Sequence, residues 1–124
     1  MIYIGTDIVE VGRIEDLMRR WPQRFLDRIY TAQEKAYCER QAVPAIHYAG
    51  RFAAKEAARK ALHAAGQQST VPFKDIDINR DHLGVPSISL GRDARGTPSP
   101  YRMALSISHT GQIAIATVAL ESDG

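Results

Sequence analysis

Apolar residues recur along this chain first in a short run, then at helical spacing, and finally at every second position. The run at residues 2–6, "IYIGT", predicts a buried strand that ends near Asp7. Val11, Ile14, Leu17, Met18 and Trp21 then return at steps of three and four, one face of an amphipathic helix, until Pro22. Proline is tolerated at a first helical position, so residues 23–29 predict a second short helix. "TAQE" at residues 31–34 has the form of a capping box, in which a threonine and a glutamate satisfy each other's free backbone donors. It predicts a helix over residues 32–41. Past Pro44, strong helix formers predict a long helix over residues 46–65, closed by Gly66 as its cap.

After Pro72 the period changes to two. Phe73, Ile76 and Ile78 alternate with Asp75, Asp77 and Asn79 as in a half-buried strand, and "RDHLG" turns the chain. Residues 85–90 resume the extended pattern, with Pro86 marking an edge or a strand start. "GRDARGTPSP", residues 91–100, reads as an irregular connection. Met103, Leu105 and Ile107, then Ile113, Ile115 and Ala119, predict two further strands on either side of "SHTGQ". The sum is an α+β fold, an antiparallel sheet packed on a long central helix with shorter N-terminal helices, in one domain of residues 1–124.

Composition narrows the class. The 124 residues are 44% hydrophobic and 24% charged, ordinary globular usage, which excludes disordered and fibrous chains. The one cysteine, Cys38, argues against a disulfide scaffold and fits a reducing compartment. Without a secretion signal or an apolar run long enough to span a bilayer, the expected location is cytoplasmic, with no membrane partner. A net charge of +2 is compatible with an anionic partner without naming one.

Two carboxylates stand out. Placing residues every 100° sets Glu56 between Phe52 and Ala49, with Lys60 one turn on, whereas Arg51, Lys55 and Arg59 fall on the other side as a solvated face. Asp7 follows the first strand where it hands over to a helix. Taken singly, Asp7 reads as a capping residue and Glu56 as the partner of Lys60 in an i, i+4 ion pair. Taken together, two acids from separate elements call for a cation, and Mg²⁺ with phosphate oxygens is its natural form. Lys60 would then face the same anion.

The remaining candidates are weaker alone. Ser108, His109 and Thr110 form a hairpin tip whose polar groups satisfy the turn or contact a ligand. The four histidines lack metal spacing, which makes zinc an unexpected guest. Arg13, Arg20, Arg24 and Arg28 form a broken basic stripe suited to an acidic protein. It lacks the interleaved aromatics of a nucleic-acid surface, so no nucleic-acid partner is expected. The alternative to an enzyme is a non-catalytic basic module that docks an acidic protein or RNA.

"IGTDIVEVGRI" (4–14), "AGRFAAKEAARKAL" (49–62) and "SISHTGQIAIATV" (106–118) together resemble the bacterial holo-acyl-carrier-protein synthase family, the short type of phosphopantetheinyl transferase. "RFLDRIYTAQE" and "FKDIDI" with "GVPSISL" are similar to that family in the same order. The resemblance implies transfer of the phosphopantetheine arm of coenzyme A to a serine of an apo acyl carrier protein, with release of adenosine 3',5'-bisphosphate. It implies that Asp7 and Glu56 hold Mg²⁺, that Lys60 neutralises the leaving phosphate, and that a carboxylate or water takes the serine proton. Ser108, His109 and Thr110 would lie along the nucleotide, and Arg13, Arg24 and Arg28 would meet the acidic carrier. A homotrimer with the nucleotide site between subunits is also implied. The chain departs from the family's usual glycine-rich stretch after the long helix, where it has "KALHAAGQQS".

Overall fold

The computed structural model describes residues 1–91 and 99–122, so most of the connection expected over 91–100 lies outside the described residues. Strand β1, Ile2–Glu10, runs three residues past Asp7 instead of ending there. Every residue of it pairs antiparallel with the last strand, from Ile2 opposite Glu121 to Glu10 opposite Ile113. An acidic side chain in an apolar run reads as a terminator, but the ladder needs only backbone groups and continues through it.

Four helices follow, α1 (Val11–Arg20), α2 (Pro22–Ile29), α3 (Ala32–Glu39) and α4 (Pro44–Ala64). Both arms of the capping box form: the Thr31 hydroxyl accepts from Glu34 N at 3.2 Å, and Thr31 N donates to Glu34 Oε1 at 2.8 Å. Pro44 and Ala45 belong to α4, which starts two residues earlier than expected because a proline at the first position costs no hydrogen bond. The helix ends where Gly66 takes a positive φ of 97°. Gly66 N then donates to His63 O and Gln67 N to Leu62 O, the Schellman pair.

The late strands divide into two sheets instead of one. β4 (Arg102–His109) and β5 (Ile113–Glu121) join β1 in the order β1-β5-β4, while β2 (Ile76–Arg80) and β3 (Pro86–Leu90) form a separate hairpin. Phe73 leaves the alternation, since residues Phe73–Asp75 make a 3-10 turn. At the hairpin tip Asp81 Oδ1 accepts from Leu83 N and Val85 N, and Gly84 takes φ 81°.

Helix α4 lies across the three-stranded sheet with Ala49, Ala53, Ala57 and Ala61 fully buried, so strand and helix approach closely. A Cβ on Gly5 would come within 1.9 Å of Ala57 O. Because alanine suits this close packing, β5 turns Ala114, Ala116, Val118 and Leu120 inward. Ile113 and Ile115, whose alternation marked the strand, face out beside Ile2, Ile4 and Ile8.

The expected solvated stripe on α4 is also corrected. Lys55 is 0% exposed, ion-paired to Glu34 at 2.8 Å and donating to Phe73 O and Ile76 O. Glu34 accepts in addition from Ile78 N at 2.9 Å. Arg51 is buried too, and Arg59 is half-buried over the Phe73 ring. Helical angle alone puts these residues opposite the sheet, but α3, β2 and the 3-10 turn cover that side. Among the described residues no helix is long and apolar enough to cross a membrane.

Candidate active site

The close crossing at Gly5 sets the carboxylate end of the site. Asp7 points the same way as Gly5 from β1, and its Oδ1 accepts from Lys60 Nζ of α4 at 3.1 Å. Lys60 also donates to Thr6 O at 3.0 Å. The expected Glu56–Lys60 pair is therefore not the one formed: Lys60 reaches Asp7, and Glu56 Oε1 lies 3.5 Å from Arg59 Nη1 instead. Arg59 is itself anchored, its Nε donating to Val71 O at 3.0 Å. Asp7 and Lys60 are thus in direct contact, and Glu56 stands one helical turn before Lys60 on the same face.

Each acid already carries a cationic side chain, and both offer the hard oxygen donors that Mg²⁺ prefers. Among the described residues no three His, Cys, Asp or Glu side chains gather as a metal cage. A divalent cation held here would have two protein ligands and take its remaining oxygens from water and phosphate, the usual Mg²⁺ arrangement. The donor set fits the ion.

The hairpin tip lies elsewhere. Thr110 Oγ1 accepts from Gln112 N and Ile113 N, both at 3.1 Å, so its hydroxyl closes the turn. Ser108 sits on the outer face opposite Ile115. The His109 ring meets that of His47 at 5.6 Å between centroids. His47 precedes Glu56 by nine residues on α4, about 14 Å by helical rise. One chain therefore does not bring Ser108, His109 and Thr110 to Asp7, Glu56 and Lys60.

Beside His47 lies a basic pocket that sequence reasoning missed. It has a volume of about 280 Å³, and its lining includes Tyr37, Arg40, Arg51, Asn79 and Arg80. The Arg51 guanidinium stacks over the Tyr37 ring at 4.0 Å, only 2% exposed, and among the described residues its Nε has no hydrogen-bond partner. Among the described residues Arg80 Nε likewise has no partner, although its Nη1 donates to Gly84 O at 2.6 Å. A buried guanidinium that lacks an acceptor is costly, and an anion with several oxygens would supply one. Arg51 was assigned to solvent from its helical angle, and Arg40 and Arg80 meet it only through folding. Burial holds the His47 imidazole below its ordinary range, assisted by the charges of His109, Arg51 and Arg80. Burial pushes the Cys38 thiol up to about 12, which leaves it an inert core group.

Helices α1 and α2 form an open groove of about 340 Å³ lined by Leu17, Trp21, Arg24, Phe25 and Arg28. Two of the three expected docking arginines flank this apolar floor. Arg13 is exposed on α1 but is not among the lining residues.

Comparison with known proteins gives this geometry a context. The model of the 4'-phosphopantetheinyl transferase superfamily matches residues 3–118. A holo-[acyl-carrier-protein] synthase of Koribacter versatilis is 42% identical over 120 residues, covering 94% of this chain and 95% of that protein. The fold is similar to that of a holo-(acyl-carrier-protein) synthase from Bacillus anthracis in complex with CoA (3',5'-ADP), at 35% identity and TM-score 0.79. That match covers 98% of this chain and 96% of the other. An ACPS-CoA complex of Chronobacterium ammoniagenes superposes with TM-score 0.84 at 26% identity, covering 100% and 99% of the two chains. With one family spanning nearly the whole sequence and the same fold beneath it, the chain belongs to the holo-acyl-carrier-protein synthases of the 4'-phosphopantetheinyl transferase superfamily.

Proposed function

We propose that this chain, as one transferase domain, moves the 4'-phosphopantetheine arm of coenzyme A onto a serine of an apo acyl carrier protein and releases adenosine 3',5'-bisphosphate. The single observation that carries the reading is the Asp7–Lys60 contact at 3.1 Å, which joins two of the three family-like motifs across β1 and α4. Asp7 and Glu56 would hold Mg²⁺, which when bound supplies charge neutralisation for the diphosphate of coenzyme A. Lys60 meets the same diphosphate and balances the negative charge that grows on the departing bisphosphate. The serine oxygen forms a bond to the phosphorus next to pantetheine, the bridging P–O bond breaks, and a carboxylate or a water takes the serine proton. Catalysis of this kind rests on positioning and charge rather than on a protein nucleophile.

The basic pocket of Arg40, Arg51 and Arg80, with His109 nearby, suits the 3'-phosphate of the same coenzyme. Arg51 and Glu56 point about 140° apart around α4, so the pocket of one copy and the carboxylates of its neighbour would serve one coenzyme A. Such a head-to-tail contact closes as a ring, and three copies make the homotrimer. The outer sheet face supports association: Ile4 and Ile8 are 65% and 63% exposed beside Ile2, Ile113 and Ile115, a row of exposed apolar side chains of the kind that marks an interface.

The α1–α2 groove would receive the carrier, with Arg24 and Arg28 facing its acidic helix and Trp21 and Phe25 its apolar residues. Arg13 would contribute from outside the groove. The test is to incubate the chain with coenzyme A, Mg²⁺ and an apo acyl carrier protein and to weigh the carrier by mass spectrometry. A gain of one phosphopantetheine is expected. No gain beside a competent control synthase would leave only a basic docking module.

A further inference from the structure

Beside the basic pocket, against its lining residue Tyr37, stands an imidazole whose charge is not fixed. His47 touches Tyr37 of α3 at 5.9 Å and His109 of β4 at 5.6 Å, and Arg51 lies one turn further along α4. Arg80 of β2 acts on it electrostatically, so the charges facing His47 come from His109, Arg51 and Arg80. Among the described residues that line the adjoining pocket, none is acidic. The lining thus presents cations with no acid of its own, while Asp77 stands behind it and accepts from the lining Asn79 at 2.8 Å. Among the described residues, Arg51 Nε and Arg80 Nε have no hydrogen-bond partner.

We propose that His47 is a proton-accepting neighbour of the phosphate pocket, taking up a proton as the 3'-phosphate of coenzyme A binds and making that binding pH-dependent. The inference rests on reading the pocket as the 3'-phosphate site. Before the phosphate arrives, burial and then the neighbouring charges hold the imidazole below its ordinary range. A dianion among Arg51, Arg80 and His109 offsets those cations and raises the proton affinity of His47. A ligand that makes a protein take up a proton binds more tightly as pH falls, from the bound-state pKa down toward the free-state one. His47 also acts as a specificity residue, since it responds to the 3'-phosphate and not to the rest of the coenzyme.

The experiment is calorimetric titration of coenzyme A and of dephospho-coenzyme A, which lacks the 3'-phosphate, into the full chain without carrier protein. His47→Gln and His47→Phe are measured beside the wild type. Both remove the titrating group at a half-buried position, and either suffices if the other folds poorly. Between about pH 8 and about pH 6, wild-type affinity for coenzyme A is expected to rise about three- to tenfold relative to the variants. The phosphate's own protonation is common to all chains and cancels in the ratio. Dephospho-coenzyme A should show no such difference. If wild type binds both coenzymes alike at every pH, the phosphate reading of the pocket fails, and the role of His47 with it. If wild type prefers coenzyme A but the variants follow the same pH curve, the pocket stands and His47 is overturned.

Discussion

Lys55 and Arg51 stand one turn apart on the same side of α4, both buried, and the structure treats them in opposite ways. The three ammonium protons of Lys55 are met by Glu34, Phe73 O and Ile76 O, a closed network that fastens α3, β2 and the 3-10 turn to the helix. Arg51 stacks on Tyr37 and leaves its Nε without an acceptor among the described residues. A buried cation with all its partners inside the protein holds the fold together. One with an orphaned donor is arranged for something that arrives from outside. The carboxylate end shows an intermediate case: Asp7 and Glu56 carry Lys60 and Arg59, which leave oxygens available to a metal ion.

The largest expected effect tests that intermediate case. Glu56→Gln keeps the size of the side chain and removes its charge, so phosphopantetheinyl transfer should fall by about a hundredfold or more while the thermal midpoint barely moves. Turnover at the wild-type rate would return Glu56 to the role of a simple partner for Arg59. Next in size is Lys55→Met, which leaves Glu34 charged and unpaired in the core and should cost about 3–5 kcal/mol in chemical denaturation. Adding Glu34→Gln should recover much of that loss, whereas two independent losses would mean the pair is not the unit.

Arg51→Met should reverse the pattern. Stability changes little, and affinity for coenzyme A falls by about ten- to a hundredfold, the weight of charge-assisted hydrogen bonds. A large stability loss with unchanged coenzyme binding would erase the distinction between the two cations. Smallest is Arg24→Glu at the α1–α2 groove, expected to weaken carrier binding about tenfold or less, with the effect shrinking at high salt and coenzyme A binding spared. Equal loss of both ligands would merge two surfaces that the fold keeps apart.

The periods were legible because they are local. Thr31 and Glu34 announce a helix start at a spacing of three, Gly66 announces its end, and the helical returns from Val11 mark α1 before any tertiary contact exists. The same reading found the strand at Ile113 and Ile115, but an apolar residue on a strand does not say what covers it. Alanine met the core here because α4 lies so close, and isoleucine was left for an outer surface. Asp7 and Glu56 were legible as acids embedded in apolar surroundings, yet their actual partners, Lys60 and Arg59, depend on how β1 crosses α4. The pocket of Arg40, Arg51 and Arg80 left no mark in the sequence, its members coming from three elements with no shared spacing.

By itself, the sequence determined the helices and their caps, the change of period after Pro72 and the residue types of the candidate site, since each depends on neighbours within a few positions. Which face of each element is covered, which acid meets which cation and which guanidinium goes unanswered were decided only in three dimensions. Those outcomes depend on contacts between residues dozens of positions apart, such as the approach of Gly5 to Ala57, where a Cβ would come within 1.9 Å of the carbonyl oxygen.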